Sequence, residues 1–161
     1  LPSVFAPPDG FGPHIEAYMQ AWEDAGHEGR PRLGAICHCH VAPTTQQAKR
    51  DFEPHYRQYW EWVQELVVAY TPRARRLPFD YAAMLAGPAL CGSPAEVINR
   101  VGQWQAALPL PLERFGFMFD LGGFPEPPLR EVIERFGAEV IPHIRGVHER
   151  AATGVPRGIV D

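Results

Sequence analysis

The chain has no basic tract and no run of apolar residues near the length needed to cross a bilayer. With a net charge of -4, nucleic acid and membrane are therefore both disfavoured as partners. Cysteine is scarce and odd in number: Cys37, Cys39 and Cys91 cannot form a disulfide framework, and the first two lie too close along one segment for an easy bridge. A reducing, cytoplasmic setting is the expectation. No internal repeat or low-complexity tract stands out. What the sequence does have is 45% hydrophobic residues to fill a core, 21% charged residues for solubility, and 18 prolines with 15 glycines across 161 residues. These cluster at Pro7-Pro8-Asp9-Gly10, Leu77-Pro78, Pro109 to Pro111 and Pro125 to Pro128, where an alternating α/β chain needs turns.

The stretch from Cys91 to Arg145 reads as a helix, a strand and a helix. Ser93-Pro94-Ala95-Glu96 combines a capping hydroxyl, a proline at the first helical position and a carboxylate three residues after the serine. Val97, Ile98, Val101, Trp104 and Leu108 then recur at helical spacing. Arg114 to Asp120 is apolar almost throughout, which predicts a strand buried on both faces, as in a parallel sheet. A flexible turn at Leu121-Gly122-Gly123-Phe124-Pro125 precedes a helix from about Pro127, with Leu129, Val132, Ile133, Phe136, Val140 and Ile144 on its inner side.

Earlier in the chain, Phe11 to Ala25 predicts a helix closed by Gly26. Leu33 to Val41 predicts a strand. Thr44-Thr45-Gln46-Gln47 offers a capping box for a helix carrying Phe52, Tyr56, Tyr59, Trp60, Val63, Leu66 and Val67, which Pro54 is expected to kink or break. From Thr71 to Leu90 periodicity lapses. That segment exceeds the roughly two to six residues usual between α/β elements, so residues 71–90 are a candidate lid. Residues 153–161 read as a loose tail.

Three blocks, Cys91 to Val97, Phe117 to Gly123 and Phe136 to Pro142, resemble in order and spacing the last helix, strand and helix of the bacterial luciferase-like, flavin-dependent monooxygenases. At declining strength the resemblance extends over the chain: Leu1 to Phe5 resembles the family's sixth barrel strand and Arg32 to Thr44 its seventh. A (β/α)8 barrel takes about 250 residues, whereas this chain supplies about three strands and starts at Leu1, a non-methionine residue inside an apparent strand. The expectation is one domain fragment over residues 1–161, the carboxy-terminal part of a luciferase-like TIM barrel of the α/β class. Its open sheet edges would associate with the amino-terminal part of the barrel or with a second copy.

The resemblance implies an oxidoreductase that uses reduced flavin and dioxygen to oxidise a small organic molecule. The flavin would be FMN reduced by a separate flavin reductase, with F420 as the alternative in some relatives. It implies that Phe5 and Ala6, at the end of the sixth strand, and Gly122 and Gly123, after the last, lie near the cofactor; by its own chemistry the glycine pair reads first as a tight turn needing positive φ. No catalytic residue carries over, and the fragment alone is expected to be inactive.

For the substrate cavity or lid the candidates are His38, His40, Phe79, Tyr81 and Asp120. His40 lies nearer the strand's carboxyl end, where barrel enzymes build their sites. Asp120 reads as a base, as a helix cap or as half of a salt bridge. Phe79 and Tyr81 could cover a substrate or anchor a long loop. Cys37-His38-Cys39-His40 is chemically suited to zinc, but neighbouring side chains on a strand point to opposite faces, so the four cannot converge and no metal is expected. Two rival classes remain: a non-catalytic flavin-binding or structural relative of luciferase, and a small metal-binding module on the histidine-cysteine strand.

Overall fold

A computed structural model describes residues 8–144. The expected strand at residues 1–5, with Phe5 and Ala6, and the tail at 153–161 lie outside the described residues.

A 3-10 turn at Pro8–Phe11 leads into α1 (Gly12–Asp24), which ends as expected with Gly26 at φ +67°. β1 (Leu33–Val41) follows, then α2 (Thr45–Tyr70), started by Thr44, whose hydroxyl accepts from the Gln47 amide at 3.2 Å. α3 (Tyr81–Ala86) and β2 (Ala89–Gly92) come next. α4 (Pro94–Ala107) is capped by the Ser93 hydroxyl on the Glu96 amide, and β3 (Leu112–Met118) precedes α5 (Glu126–Arg135).

The three strands are parallel, in the order β2-β1-β3, with His40 opposite Cys91 and Cys37 opposite Phe117. β1 is the central strand and its alternation divides the core. Cys37, Cys39 and Val41 pack with Leu90 against Val97, Val101 and Trp104 of α4 and against Phe136 and Val140. His38 and His40 face the opposite way, onto Tyr56 and Phe52 of α2. Helices thus cover both faces of the sheet. Right-handed crossovers require this: β1 to β2 moves one way along the sheet and β2 to β3 moves back, so the intervening helices fall on opposite sides.

Several sequence expectations need correction. Pro54 does not break α2, which is continuous from Thr45 to Tyr70. It sits on the exposed side, opposite Phe52 and Tyr56, where water can satisfy the carbonyl that loses its intrahelical donor. Residues 71–90 are not uniformly irregular, since they contain α3 and the first half of β2, a strand too short to show a period. The last strand spans Leu112–Met118 rather than 114–120, and beyond Leu112 it is only half-buried, because it is an edge strand. Ile133 is 47% exposed rather than inward. A π-helical turn at Phe136–Val140 continues α5, and the buried positions run Val132, Phe136, Val140 at intervals of four, which leaves Ile133 on the outer side.

Candidate active-site cleft

In an open parallel sheet, ligands bind outside the carboxyl ends of strands whose following helices depart to opposite faces. Here β1 hands over to α2 on one face, while β3 leads to α5 and the π turn on the other. A cleft of about 420 Å³ lies at that point, lined by His40, Asp51, His55, Phe124, Glu131 and Arg135 among others.

Local sequence explains each side. Pro43 comes two residues after the end of β1, and Thr44 starts α2 so that Asp51 and His55, four residues apart, share the face that turns to the cleft. After β3, the Asp120 carboxylate accepts from the Gly122 amide at 2.8 Å, and Gly122 and Gly123 take φ of +89° and +85°. Residues with a side chain rarely adopt that conformation. The reversal brings Phe124 back onto α2, its ring centroid 3.7 Å from that of His55 and 5.4 Å from that of His40. Glu131 and Arg135, again four apart, close the cleft from α5.

The result is a cluster of rings. His40 stacks on Phe52 at 5.2 Å with 16° between planes and on Phe124, Phe52 and Phe124 are themselves 6.4 Å apart, and Phe52 stacks in turn on Tyr56 at 4.9 Å. His40 is 3% exposed and makes no hydrogen bond among the described residues. Burial holds its pKa down at about 4; Asp51 opposes that shift and His55 adds to it. The ring is neutral at pH 7. Asp51 and Glu131 bring negative charge, and Arg135, the one cation among the described lining residues, is paired with Glu139 at 2.9 Å.

The remaining sequence candidates are dispersed. His38 is sealed under Tyr56 and Tyr59, its Nδ1 3.1 Å from the Tyr56 hydroxyl, and does not line the cleft. Gly122 and Gly123 border a separate hollow of about 410 Å³ with Tyr59 and Trp62. The Gly122 amide is already taken by Asp120, which caps this turn rather than the following helix. Phe79 and Tyr81 lie against Tyr56, and the Tyr81 hydroxyl donates to the Lys49 carbonyl at 2.7 Å. Leu77 is tied to α2 twice: its amide donates to Gln64 at 2.7 Å, and its carbonyl accepts from Trp60 at 3.2 Å. The candidate lid is thus strapped along α2. Cys37 and Cys39 lie on the sheet face opposite the histidines, and among the described residues no three potential ligands gather for a metal ion.

Sequence reasoning missed Asp51, His55, Glu131 and Arg135 as cleft residues. The available signal was their i, i+4 spacing beside the two proline-marked loops.

A flavin would ask two things of this cleft: an apolar wall for its ring system, and amides or free cations for its phosphate. The ring cluster suits the first. The second is not met, since the lining carboxylates repel a phosphate and Arg135 is engaged.

The sequence pattern of the luciferase-like monooxygenases matches residues 1–109, ending before β3 and therefore before two of the three blocks that carry the resemblance. No curated protein matches. Among solved structures, the chain is similar to the oxygenating constituent of 3,6-diketocamphane monooxygenase from the CAM plasmid of Pseudomonas putida, a type II Baeyer-Villiger monooxygenase in complex with FMN. The TM-score is 0.55 at 21% identity, over 86% of this chain and 41% of the other, a likeness of fold. The chain thus spans about two fifths of that enzyme's length. No helix among the described residues is long and apolar enough to cross a membrane.

Proposed function

Since the chain belongs to the luciferase-like monooxygenase family, we propose that it is part of a flavin-dependent monooxygenase, in which its cleft holds the organic substrate. The family match over residues 1–109 carries this reading. The FMN in the related oxygenating constituent favours FMN over F420, and the word constituent favours a flavin reduced by a separate reductase.

When bound, the reduced flavin supplies the activation of dioxygen. The chain's own part is to position and shield. The ring cluster around His40 excludes water from one wall, and the neutral imidazole of His40 offers a hydrogen bond without a charge. The phosphate is assigned to residues beyond those described, because the cleft gathers no free cation for it.

The finer placement is as the carboxy-terminal strand and helix units of a (β/α)8 barrel. The parallel pairing of β1 with β3 and the open outer edges of β2 and β3 support it. Closure into a barrel would move α2 off the histidine face of β1, the side that would become the interior, and would leave His40, at the carboxyl end of β1, as the part of the cleft that borders the substrate there.

The test is oxygen incorporation. The protein encoded by the complete reading frame is given FMN, a flavin reductase with NADH, and labelled dioxygen, with cyclic ketones as substrates because the related enzyme's name points there. Labelled product is expected from the complete protein and none from residues 1–161 alone. Absence of label with the complete protein across cyclic ketones, aldehydes and aromatic substrates would overturn the reading.

A further inference from the structure

Three aromatic residues of α2 lead from the core to water. Tyr56, Tyr59 and Trp62 follow one another at intervals of three, with ring centroids 6.4 Å apart for the first pair and 6.1 Å for the second, inside the roughly 4.5–7 Å of rings in contact. Tyr56 is fully buried, Tyr59 partly buried and Trp62 57% exposed. At the inner end, Phe52 contacts both Tyr56, at 4.9 Å, and His40, which lines the cleft, at 5.2 Å.

Packing alone does not ask for these residue types. Phenylalanine would fill the place of Tyr56 without a hydroxyl that burial obliges to find a partner, and an indole more than half exposed fills no core. Phenol and indole share a property that phenylalanine lacks: each yields one electron to a strong oxidant. The Tyr56 hydroxyl also has somewhere to send its proton, since it lies 3.1 Å from Nδ1 of His38, a ring that burial keeps neutral and therefore able to accept one. Burial pushes the Tyr56 phenol up, so the proton stays until the electron leaves.

We infer that Tyr56, Tyr59 and Trp62 form an electron relay between the cleft and the surface, with His38 as the proton acceptor of Tyr56. A one-electron oxidant in the cleft takes an electron from Tyr56 across Phe52; the phenolic O–H bond breaks and its proton bonds to Nδ1 of His38. An electron from Trp62 then passes by way of Tyr59 to refill Tyr56, and the proton returns to the phenol oxygen. A thiol in solution reduces the indole radical cation. The oxidant gains one electron, the thiol loses one with its proton, and the protein ends as it began. Because the three rings share one helix, their spacing persists wherever α2 packs. The use of the relay, draining oxidant that strays from substrate, rests on the proposed monooxygenase reading; its existence does not.

Flash oxidation of the purified chain at neutral pH, by tris(bipyridine)ruthenium(III) generated with light and a cobalt(III) acceptor, runs the relay backwards from Trp62. Electron paramagnetic resonance of frozen samples is expected to show a tyrosyl radical that outlives those of exposed tyrosines such as Tyr70, because Tyr56 is sealed from water and its proton is held at His38. Tyr56→Phe should remove the long-lived signal, Trp62→Phe should lower its yield severalfold, and Tyr70→Phe should leave it unchanged. Circular dichroism verifies that Tyr56→Phe folds; if it does not, the yield from Trp62→Phe, a surface change, decides the matter. No long-lived signal in the wild type, or one that survives Tyr56→Phe or Trp62→Phe undiminished, would overturn the inference. Neither flavin nor substrate is present, so failure here leaves the monooxygenase reading standing, and a relay found here stands if that reading fails.

Discussion

The guanidinium of Arg100, on α4, donates to the carbonyl oxygen of Ala89 at the start of β2, 2.6 Å away. The same side chain donates to the carbonyls of Leu85, Ala86 and Gly87, the last at 2.9 Å. The free carboxyl end of α3 and the entry to β2 are thus closed by one residue from another helix, where backbone acceptors would otherwise lack partners.

Arg100→Met should therefore destabilise the protein by about 3 kcal/mol, since each hydrogen bond to a charged group contributes roughly 1.5–3 kcal/mol and water will replace only some of them. Arg100→Lys should recover part of the loss. Urea unfolding measures both; a methionine variant within about 0.5 kcal/mol of wild type, inside the ordinary range for a surface change, would remove the residue from this role.

Acid should destabilise the fold through its two buried histidines. Burial holds both His38 and His40 down at about 4, against about 6.5 in an unfolded chain. Between those values the unfolded state binds more protons, so stability rises with pH: it is fully present above about 6.5 and is lost as pH falls toward 4. The two groups together make this several kcal/mol, to order of magnitude. His40→Phe should remove about half of the slope. Unfolding midpoints that stay constant from pH 7 to pH 4.5 would contradict the burial of both rings.

The three thiols should be inert in the folded protein. Cys37, Cys39 and Cys91 are free and buried. Burial pushes all three pKa values up, Cys91 to about 12, so at neutral pH none offers the reactive thiolate. A thiol-specific chromogenic reagent should label none of them until denaturant is added. Rapid labelling of even one in the native state would show a more open sheet face.

Gly92→Ala should cost about 1–3 kcal/mol by overpacking. A methyl group there would stand 2.6 Å from Glu96 Cγ and 2.8 Å from Glu96 Cβ, at the first turn of α4, where the Ser93 amide also donates to the Thr45 hydroxyl at 3.1 Å. The loss should appear as a lower thermal midpoint; an unchanged midpoint would mean that the start of α4 shifts freely.

Much of this fold was legible locally. The starts of α2 and α4 follow from Thr44 and Ser93, the end of α1 from Gly26, and β1 from its apolar run, because a cap or a period is settled within a few residues of chain. β2 escaped notice because four residues carry too little periodicity, and Pro54 misled because its cost depends on which side of α2 faces water. The proposed site was half legible. His40 was picked out by its place at the carboxyl end of a strand, but the Gly122-Gly123 pair turned out to shape the approach of Phe124 rather than to line the cleft.

By itself the sequence determined four of the five α-helices, two of the three strands, the turns and the opposition of cysteines to histidines across β1, all set by short-range sterics and hydrogen bonding. Only the tertiary structure decided that β2 and β3 flank β1 on opposite sides, that α2 covers the histidine face, and that Phe124 comes to rest on His40 and His55. The reason is distance along the chain: those contacts follow from crossover direction and strand register, which depend on residues dozens of positions apart meeting in one core.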